Sequence, residues 1–289
     1  MKQAQSTILA VGAAGKFAGL VLPALAQRGA KVRGLIRRAS DAERVRAHGA
    51  TDVAVGDLED RASVNAALDG IDSVFYIAPA FFPTKRASAS AWSNPRSGLG
   101  CAGSFFRPSF IRHSLRSRIT PPKARSNRRF WRRGWSTRSS TRHCSFRTTP
   151  AVGRGCSRPA CWPSLGPPRR FGRVDYRDVA EVAAIALTED RLTFGTFELC
   201  AEGTLNRKEV AALIGDVLGR PIDAAKVQLD TSTALPADSP EGRQLTAMKP
   251  MFDWYDRHSL LGNALTLRAI LGREPRTLRA YFEELAGAA

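Results

Sequence analysis

The sequence predicts an α/β fold with a doubly wound parallel sheet. Apolar runs of strand type alternate with helical patterns through the first eighty residues, and this alternation is typical of a parallel sheet. A glycine-rich turn stands between the first strand and the first helix. The C-terminal third returns to helical periodicity after an interruption in the middle of the chain.

The first strand, at residues 8–11, leads directly into a glycine turn and then into an apolar helical pattern. Glycines at 12 and 15 let the backbone turn tightly and approach a pyrophosphate, whose charge meets free N–H groups at the start of the helix. We therefore expect an anion-binding turn. Its candidate residues are Gly12, Ala13, Ala14, Gly15, Lys16 and Phe17.

The second strand, at 31–36, ends in Arg37 and Arg38. A site selective for NAD carries Asp or Glu at this place, to hold the ribose 2′-hydroxyl, whereas arginine suits a 2′-phosphate. With the glycine turn one strand earlier, the two arginines favour NADP (NADPH) over NAD. The alternative is that they are only a solvated strand end.

A helix at 42–48, a strand at 52–55, a helix at 61–68 and a strand at 73–77 continue the alternation. Ligands of open α/β sheets bind outside the carboxyl ends of the strands. Candidate cofactor contacts at those ends are Asp57, Leu58, Ala78 and Pro79. Asp57 has an alternative role, because it could simply cap the helix that follows.

The C-terminal segment predicts a helix opened by Asp175, a strand at 196–200, and a helix that Asn206 and Glu209 cap and Gly219 ends. Plain structural helices explain all of this pattern. An aromatic cluster farther on suits either a substrate pocket or ordinary core. Its members are Met251, Phe252, Trp254 and Tyr255.

The turn VGAAGKFAG, the strand end LIRR, the segment VGDLED and the strand VFYIAP resemble the NmrA-like branch of the atypical short-chain dehydrogenases, and VDYRDVAEVAAIAL and GTLNRKEVAALIGDVLGRPI are similar to its C-terminal half. The resemblance covers residues 1–83 and 171–289 and implies a Rossmann-like, NADP-binding protein with a C-terminal substrate-side cap over the nicotinamide. Ala18 replaces the third glycine of the family's turn, a mild departure because alanine is small enough for close helix packing.

Residues 84–170 differ from the rest in composition. They hold 20 Lys plus Arg and no Asp or Glu, against 24 basic and 26 acidic residues elsewhere, so the formal charge of +18 is concentrated there. The chain is thus expected to have an N-terminal half-domain at 1–83, an anomalous arginine-rich segment at 84–170 that does not pack natively, and a C-terminal substrate-side half at 171–289. Low solubility or partial unfolding is the expected consequence.

A shifted reading frame explains the segment. Reading the same codons one nucleotide earlier permits RFVFSSVIHPSL around 102–114 and a family-like stretch from 118 to 149, with acidic residues restored and no forced stop. We therefore interpret the segment as a local frameshift, which sequencing the coding DNA for a compensating pair of insertions or deletions would test. The alternative is an arginine-rich insertion that binds nucleic acid, with Phe130, Trp131 and Trp135 interleaved among arginines.

No catalytic residue can be assigned. Short-chain dehydrogenases use Tyr, three residues, Lys, because the lysine lowers the tyrosine pKa. Here the residues four places after the tyrosines at 76, 176, 255 and 281 are Ala80, Ala180, Ser259 and Leu285. The resemblance is therefore compatible with an NADPH-dependent oxidoreductase of unknown substrate or with a non-catalytic NADP-sensing regulator. A further alternative is an inactive, frameshifted copy of such a protein.

The remaining expectations concern partners and compartment. A zinc site from His143, Cys144, Cys156 and Cys161 is disfavoured because no Cys-x-x-Cys pair is present, so no metal is expected. The five cysteines lack the spacing of a disulfide framework, and the apolar run near the N-terminus is interrupted before signal-peptide length. These features predict a cytoplasmic protein with no membrane partner. The resemblance implies a small-molecule substrate, and nucleic acid stays the disfavoured partner.

Overall fold

The computed structural model describes residues 6–77, 102–106, 138–140, 144–145, 169–193, 195–222, 224, 257, 259 and 261–287. These residues fall into two compact units, and each is described by itself. The first holds 6–77, 102–106, 138–140, 179–193 and 195–197; the second holds 144–145, 169–178, 198–222, 224, 257, 259 and 261–287.

The first unit is built on a five-stranded parallel sheet with the order β3-β2-β1-β4-β5. Its strands are β1 (Thr7–Val11), β2 (Lys31–Ile36), β3 (Asp52–Val55), β4 (Ser73–Ile77) and β5 (Ala102–Phe106). Its connecting helices are α1 (Val21–Gln27), α2 (Ala42–Ala47) and α3 (Arg61–Leu68). The order reverses beside β1, which is the arrangement of a doubly wound sheet.

Both faces of this sheet are covered, as an all-parallel sheet requires. Ile8, Leu9 and Ala10 of β1 are fully buried, although their side chains alternate between the two faces. One face packs against α3 in a core cluster. The buried members of that cluster are Leu9, Val11, Leu35, Val64, Ala67, Leu68, Ile71, Val74 and Tyr76.

Three short stretches of 84–170, a segment that the sequence predicts not to pack natively, form strands in the structure. Residues 102–106 form β5, which pairs with β4 in parallel register from Ser73 opposite Ala102 to Ile77 opposite Phe106. Two further strands are β6 (Arg138–Ser140) and β7 (Cys144–Ser145). The sequence AGSFF contains no charge, so it can pair although arginines surround it. The rest of the segment lies outside the described residues, and the frameshift stays a prediction about the DNA.

Among its described residues, the second unit contains a small sheet with the order β10-β8-β7. Its strands besides β7 are β8 (Phe171–Val174) and β10 (Thr204–Leu205). Between these two strands in the chain lie α4 (Tyr176–Thr188), which begins in this unit, and β9 (Thr196–Glu198), which pairs with β6. The unit's other helices are α5 (Arg207–Leu218), α6 (Leu265–Leu271) and α7 (Leu278–Gly287).

The predicted capping residues of the second unit lie as expected. The Asn206 side chain accepts hydrogen bonds from the Lys208 and Glu209 amides, and the Glu209 carboxylate accepts one from the Asn206 amide at 2.7 Å. Gly219 ends α5 with a φ of 65°. Asp175 accepts a hydrogen bond from the Arg177 amide at 2.8 Å at the start of α4.

Two buried aspartates fix the start of α4 within the second unit. Asp178 forms ion pairs with Arg273 and Arg276, and Asp175 pairs with Arg177 at 2.6 Å. Arg177 also pairs with Glu284 at 2.8 Å, and its pKa is raised chiefly by the hydrogen bond to Asp175. Each buried carboxylate thus has a cationic partner, as burial of charge demands.

Within the parts of the chain that the structure describes, no helix has the length and apolar character needed to cross a membrane.

Candidate functional site

The turn between β1 and α1 is tight at both of its glycines. Gly12 has a φ of +68°, a conformation that side chains disfavour, and the Gly15 amide donates a hydrogen bond to the Gly12 carbonyl at 2.7 Å. A Cβ on Gly15 would lie 3.0 Å from that carbonyl oxygen, whereas a Cβ on Gly12 would enter open space. The space beside Gly12 is therefore open, and we call this side of the Gly12–Gly15 turn the cradle, where a pyrophosphate could approach the backbone.

The helix that follows the turn, which the sequence predicts from its apolar pattern, begins as a 3-10 helix. A single 3-10 turn spans Ala18–Leu20, and α1 begins only at Val21. Pro23 is the third residue of α1, a position where its missing N–H costs no helical hydrogen bond. Ala18 is buried, so the small residue at the third glycine position is packed closely.

The cradle is fixed against the second strand. The Ala13 amide donates to the Leu35 carbonyl at 3.1 Å, and Ala13 is buried. A Cβ on Gly34 would lie 3.0 Å from the Ala13 Cβ and 2.6 Å from Val45 Cγ1, so the absence of a side chain at 34 makes room for this contact. As a result the turn lies next to the carboxyl end of β2.

Arg37 and Arg38 follow β2 directly and are both exposed. Val11 of β1 pairs with Leu35 of β2, so the glycine turn and the two arginines leave neighbouring strands at the same sheet edge. Lys16 of the turn is also exposed. The predicted phosphate-binding residues therefore meet at one edge.

The third strand brings its loop to the same edge. The Gly56 amide donates to the Ile36 carbonyl at 2.9 Å, which continues the pairing of β2 with β3. Asp57 is exposed, and its carboxylate accepts a hydrogen bond from the Glu59 amide at 2.9 Å. Leu58 is half-buried and packs against the core cluster, so its side chain has a structural role.

The alternative that Asp57 caps the next helix is wrong, because Asp60 is the cap. The Asp60 carboxylate accepts hydrogen bonds from the amides of Ala62 at 2.9 Å and Ser63 at 3.3 Å. Asp60 directly precedes α3, which is the position that allows a side chain to reach those amides. Asp57 stands three residues earlier and bonds only within its own turn through its carboxylate.

Sequence reasoning missed Ser63. Its hydroxyl accepts a hydrogen bond from the Asp57 amide at 3.1 Å and lies within hydrogen-bond distance of the Asp57 and Asp60 carbonyls, at 3.1 and 3.0 Å. A Cβ on Gly56 would lie only 2.9 Å from the Ser63 oxygen. In the sequence, Ser63 is only a serine in the first turn of a predicted helix, after a loop that begins at Gly56. A serine at such a position is usually an ordinary helix residue.

Several predicted site residues lie outside the described residues. They are Ala78, Pro79, Met251, Phe252, Trp254 and Tyr255 among the cofactor and pocket candidates, and Phe130, Trp131, Trp135, His143, Cys156 and Cys161 among the alternatives. Of the other tyrosines, Tyr76 and Tyr281 are buried in the cores of their own units. The described residues include no group of three His, Cys, Asp or Glu able to hold a metal ion.

The site matches known NAD(P)H-binding sequences. Residues 12–93, which include the glycine turn, the two arginines and the Asp57 loop, match the family model described as NAD(P)H-binding. No curated protein matches the chain. The cradle beside Gly12, where a Cβ would enter open space, fits the pyrophosphate of such a cofactor.

Solved structures share the fold at low sequence identity. The chain resembles a nucleoside-diphosphate-sugar epimerase from Staphylococcus aureus, with 16% identity over 96% of this chain and 99% of that one and a TM-score of 0.73. It resembles the Citrobacter sp. triphenylmethane reductase complexed with NADP(H), with 16% identity over 97% and 100% of the two chains and a TM-score of 0.73. An NADPH-dependent quinone oxidoreductase from Escherichia coli, complexed with NADPH, gives 16% identity over 96% and 99% and a TM-score of 0.71.

These findings confirm the Rossmann-like α/β fold and the NAD(P)H-binding character of the N-terminal segment. The resemblance to the NmrA-like atypical short-chain dehydrogenases is confirmed at this level of fold and binding domain.

Proposed function

We propose that the chain binds NADP(H) in preference to NAD(H) and works as an NADPH-dependent oxidoreductase in the cytoplasm. The observation that carries the proposal is the meeting of the Gly12–Gly15 cradle with Arg37 and Arg38 at one edge of the sheet. The cradle suits a pyrophosphate, and two exposed guanidinium groups one strand away suit a 2′-phosphate.

The cofactor would supply the hydride, and the chain's own residues would bind and orient it. Gly12 and Gly15 would let the backbone approach the pyrophosphate, while Arg37 and Arg38 would hold the 2′-phosphate, a group that NADH lacks. Asp57 would face the adenosine end. Ala78 and Pro79 follow the fourth strand in the sequence and would line the path toward the nicotinamide.

The names of proteins with the same fold suggest which substrates to test. The Escherichia coli protein is named for quinones and the Citrobacter protein for triphenylmethane dyes, so both are reasonable hydride acceptors to screen. NADPH oxidation with each acceptor, measured by loss of absorbance of the reduced nicotinamide, tests the oxidoreductase proposal.

A regulator that only senses NADP is the second candidate. It is favoured by the absence of a Tyr-x-x-x-Lys pair in the sequence and by the burial of Tyr76 and Tyr281. It predicts NADPH binding without NADPH consumption across the whole acceptor screen. Turnover with any acceptor would rule out the purely regulatory alternative.

Cofactor preference is tested by the double variant Arg37→Ala/Arg38→Ala. We expect NADPH affinity to fall by about a hundredfold or more, since hydrogen bonds to a charged phosphate are worth about 1.5–3 kcal/mol each, while NADH affinity stays the same. The matched control is Lys31→Ala/Arg46→Ala. It also removes two positive charges. Lys31 is the first residue of β2, and the charge of Arg46 helps to lower the pKa of Asp52, the first residue of β3. Both therefore lie toward the amino ends of the strands, away from the glycine turn.

Equal losses of NADPH affinity in the two double variants would show a general effect of net charge. That result would contradict the assignment of the 2′-phosphate to Arg37 and Arg38.

A further inference from the structure

The loop after β3 is held by one hydroxyl group. Ser63 Oγ accepts a hydrogen bond from the Asp57 amide at 3.1 Å, and it can donate to the carbonyl of the same residue at 3.1 Å. The single hydroxyl proton can go either to this carbonyl or to the Asp60 carbonyl at 3.0 Å, so the Asp57 amide is the main-chain group that Ser63 holds. Its side chain stays exposed at the sheet edge.

The neighbouring contacts leave this loop little freedom. The Gly56 amide is bonded to the Ile36 carbonyl, and the space beside Gly56 is filled by Ser63 Oγ, Ser63 Cβ and Leu35 Cδ1, which a Gly56 Cβ would meet at 2.9, 3.0 and 3.3 Å. Leu58 packs on the core cluster. The position of Asp57 is thus fixed by the Ser63 hydroxyl together with one strand bond, one apolar contact and two bonds within the loop. In those two bonds the Asp60 amide donates to the Asp57 carbonyl at 3.1 Å and the Glu59 amide donates to the Asp57 carboxylate at 2.9 Å.

Strand order indicates which part of a dinucleotide this loop would meet. The glycine turn leaves β1, the two arginines leave β2, and the Asp57 loop leaves β3, so the three lie side by side at spacings of about 4.8 Å per strand. With pyrophosphate at β1 and the 2′-phosphorylated ribose at β2, the group beyond the ribose is the base. Val55, at the end of β3, adds an apolar side chain that is 54% exposed.

We propose that Ser63 is a positioning residue for the adenosine half of the cofactor. Its hydroxyl holds the main chain of Asp57, so that the Asp57 carboxylate and Val55 present a hydrogen-bond acceptor and an apolar surface to the base. This inference rests on the proposed NADP(H) site. Ser63 itself does not contact the cofactor and acts through the loop.

The test compares Ser63→Ala with Thr51→Val in the full-length chain. Thr51 is a close match, because its hydroxyl accepts from the Val32 amide and donates to the Val32 carbonyl, both at 3.1 Å, at the start of β3 rather than at its end. Each variant loses a hydroxyl that accepts a hydrogen bond from one main-chain amide at 3.1 Å. Unfolding midpoints in urea should fall by similar amounts.

Binding should separate the two variants. We expect Ser63→Ala to weaken both NADPH and 2′,5′-ADP, which carries only the adenosine half, by a similar factor of about tenfold, the equivalent of roughly one main-chain hydrogen bond. Thr51→Val should bind both within twofold of the wild type. Ser63→Thr, which keeps the hydroxyl, should restore binding.

A second measurement needs no variant. Because the Asp57 amide is bonded to Ser63, it should be protected from hydrogen exchange in the wild type, and adding 2′,5′-ADP should increase that protection. An unprotected Asp57 amide would overturn the inference even if Ser63→Ala does not fold.

The outcomes distinguish this inference from the proposed function. Wild-type protein that binds neither NADPH nor 2′,5′-ADP would overturn both. Wild-type binding with equal affinity in Ser63→Ala, or with equal losses in Ser63→Ala and Thr51→Val, would leave the function standing and show that Ser63 has only a structural role.

Discussion

Gly12 and Gly70 have nearly the same backbone conformation, but Gly12 follows the carboxyl end of β1 and Gly70 precedes the amino end of β4. Their φ angles are +68° and +67°, and a Cβ on either would meet no heavy atom within 4 Å. Alanine at each position should therefore lower the free energy of unfolding by a similar amount, about 1–2 kcal/mol. Only Gly12 lies in the cradle, so only Gly12→Ala should weaken NADPH binding.

The measurement is a pair of urea unfolding curves together with NADPH titrations. Gly70→Ala is the control, because it stands in the turn before β4 and introduces the same strain. If both variants kept full NADPH affinity, the cradle beside Gly12 would not be the pyrophosphate site.

Cys200 is a buried thiol whose environment suppresses its ionisation. Burial raises its pKa to about 12, and the negative charges of Glu198 and Glu202 act in the same direction. At pH 8 the folded chain should alkylate at Cys200 about a thousandfold more slowly than a thiol with the ordinary pKa of 9.0. Iodoacetamide labelling followed by peptide mass analysis would measure this rate.

The raised pKa of Cys200 also makes the free energy of unfolding depend on pH. The folded state favours the neutral thiol, so the contribution of Cys200 is complete below about pH 9 and decreases as the pH rises toward 12. Rapid labelling of Cys200 at pH 8 without unfolding would contradict the buried environment.

At the scale of single residues, the sequence predicted which residues could bind a phosphate better than it predicted which residues bond to each other. The main-chain turn at Gly12 and the position of Arg37 and Arg38 followed from a local pattern, because glycine spacing and strand ends are written in consecutive residues. The clamp of Asp57 by Ser63 did not follow, since it depends on how a loop folds back on a helix. The same limit led to Asp57 being considered as a cap in place of Asp60.

At the scale of elements, the first half was predictable where apolar runs end at glycines. The strands at 31–36, 52–55 and 73–77 and the helix at 61–68 have the predicted bounds. The pairing of β5 with β4 was not predicted. The five uncharged residues of β5 are too few to show a strand pattern within an arginine-rich segment.

The β5 pairing predicts a penalty for proline. Neighbouring residues of a strand direct their amides to opposite sides, so at least one of Gly103→Pro and Ser104→Pro should remove a hydrogen bond to β4 and lower the free energy of unfolding by about 3 kcal/mol or more. Urea unfolding of both variants would measure the loss. Ser104→Ala keeps its amide and should remain close to the wild type.

If both proline variants were as stable as the wild type, residues 102–106 would not form the fifth strand in solution. The interpretation of the segment 84–170 as a shifted, unpacked stretch would then extend to β5 as well.

At the scale of the whole molecule, charge is distributed unevenly. The formal net charge is +18, whereas residues outside 84–170 carry a slight excess of acidic groups. A polyphosphate could therefore bind the arginine-rich segment without using the cradle, and any observed NADPH binding has to be separated from this general attraction. Salt concentration and the choice of ligand distinguish binding in the cradle from attraction to the arginine-rich segment, because counterion-driven binding weakens steeply with salt.

We expect NADPH at a hundred times its Kd to stabilise the chain by about 2.7 kcal/mol, as linkage requires of a ligand that binds only the folded state. The stabilisation should persist between 50 and 200 mM salt at a constant ratio of NADPH to Kd. Tripolyphosphate at the same concentration should not reproduce it, because it lacks the ribose and base that the edge formed by β1, β2 and β3 would hold. The measurement is the shift in thermal unfolding midpoint with each ligand at both salt concentrations. Equal shifts with tripolyphosphate, disappearing together at 200 mM salt, would indicate phosphate attraction to the basic segment and would remove the support for a specific dinucleotide site.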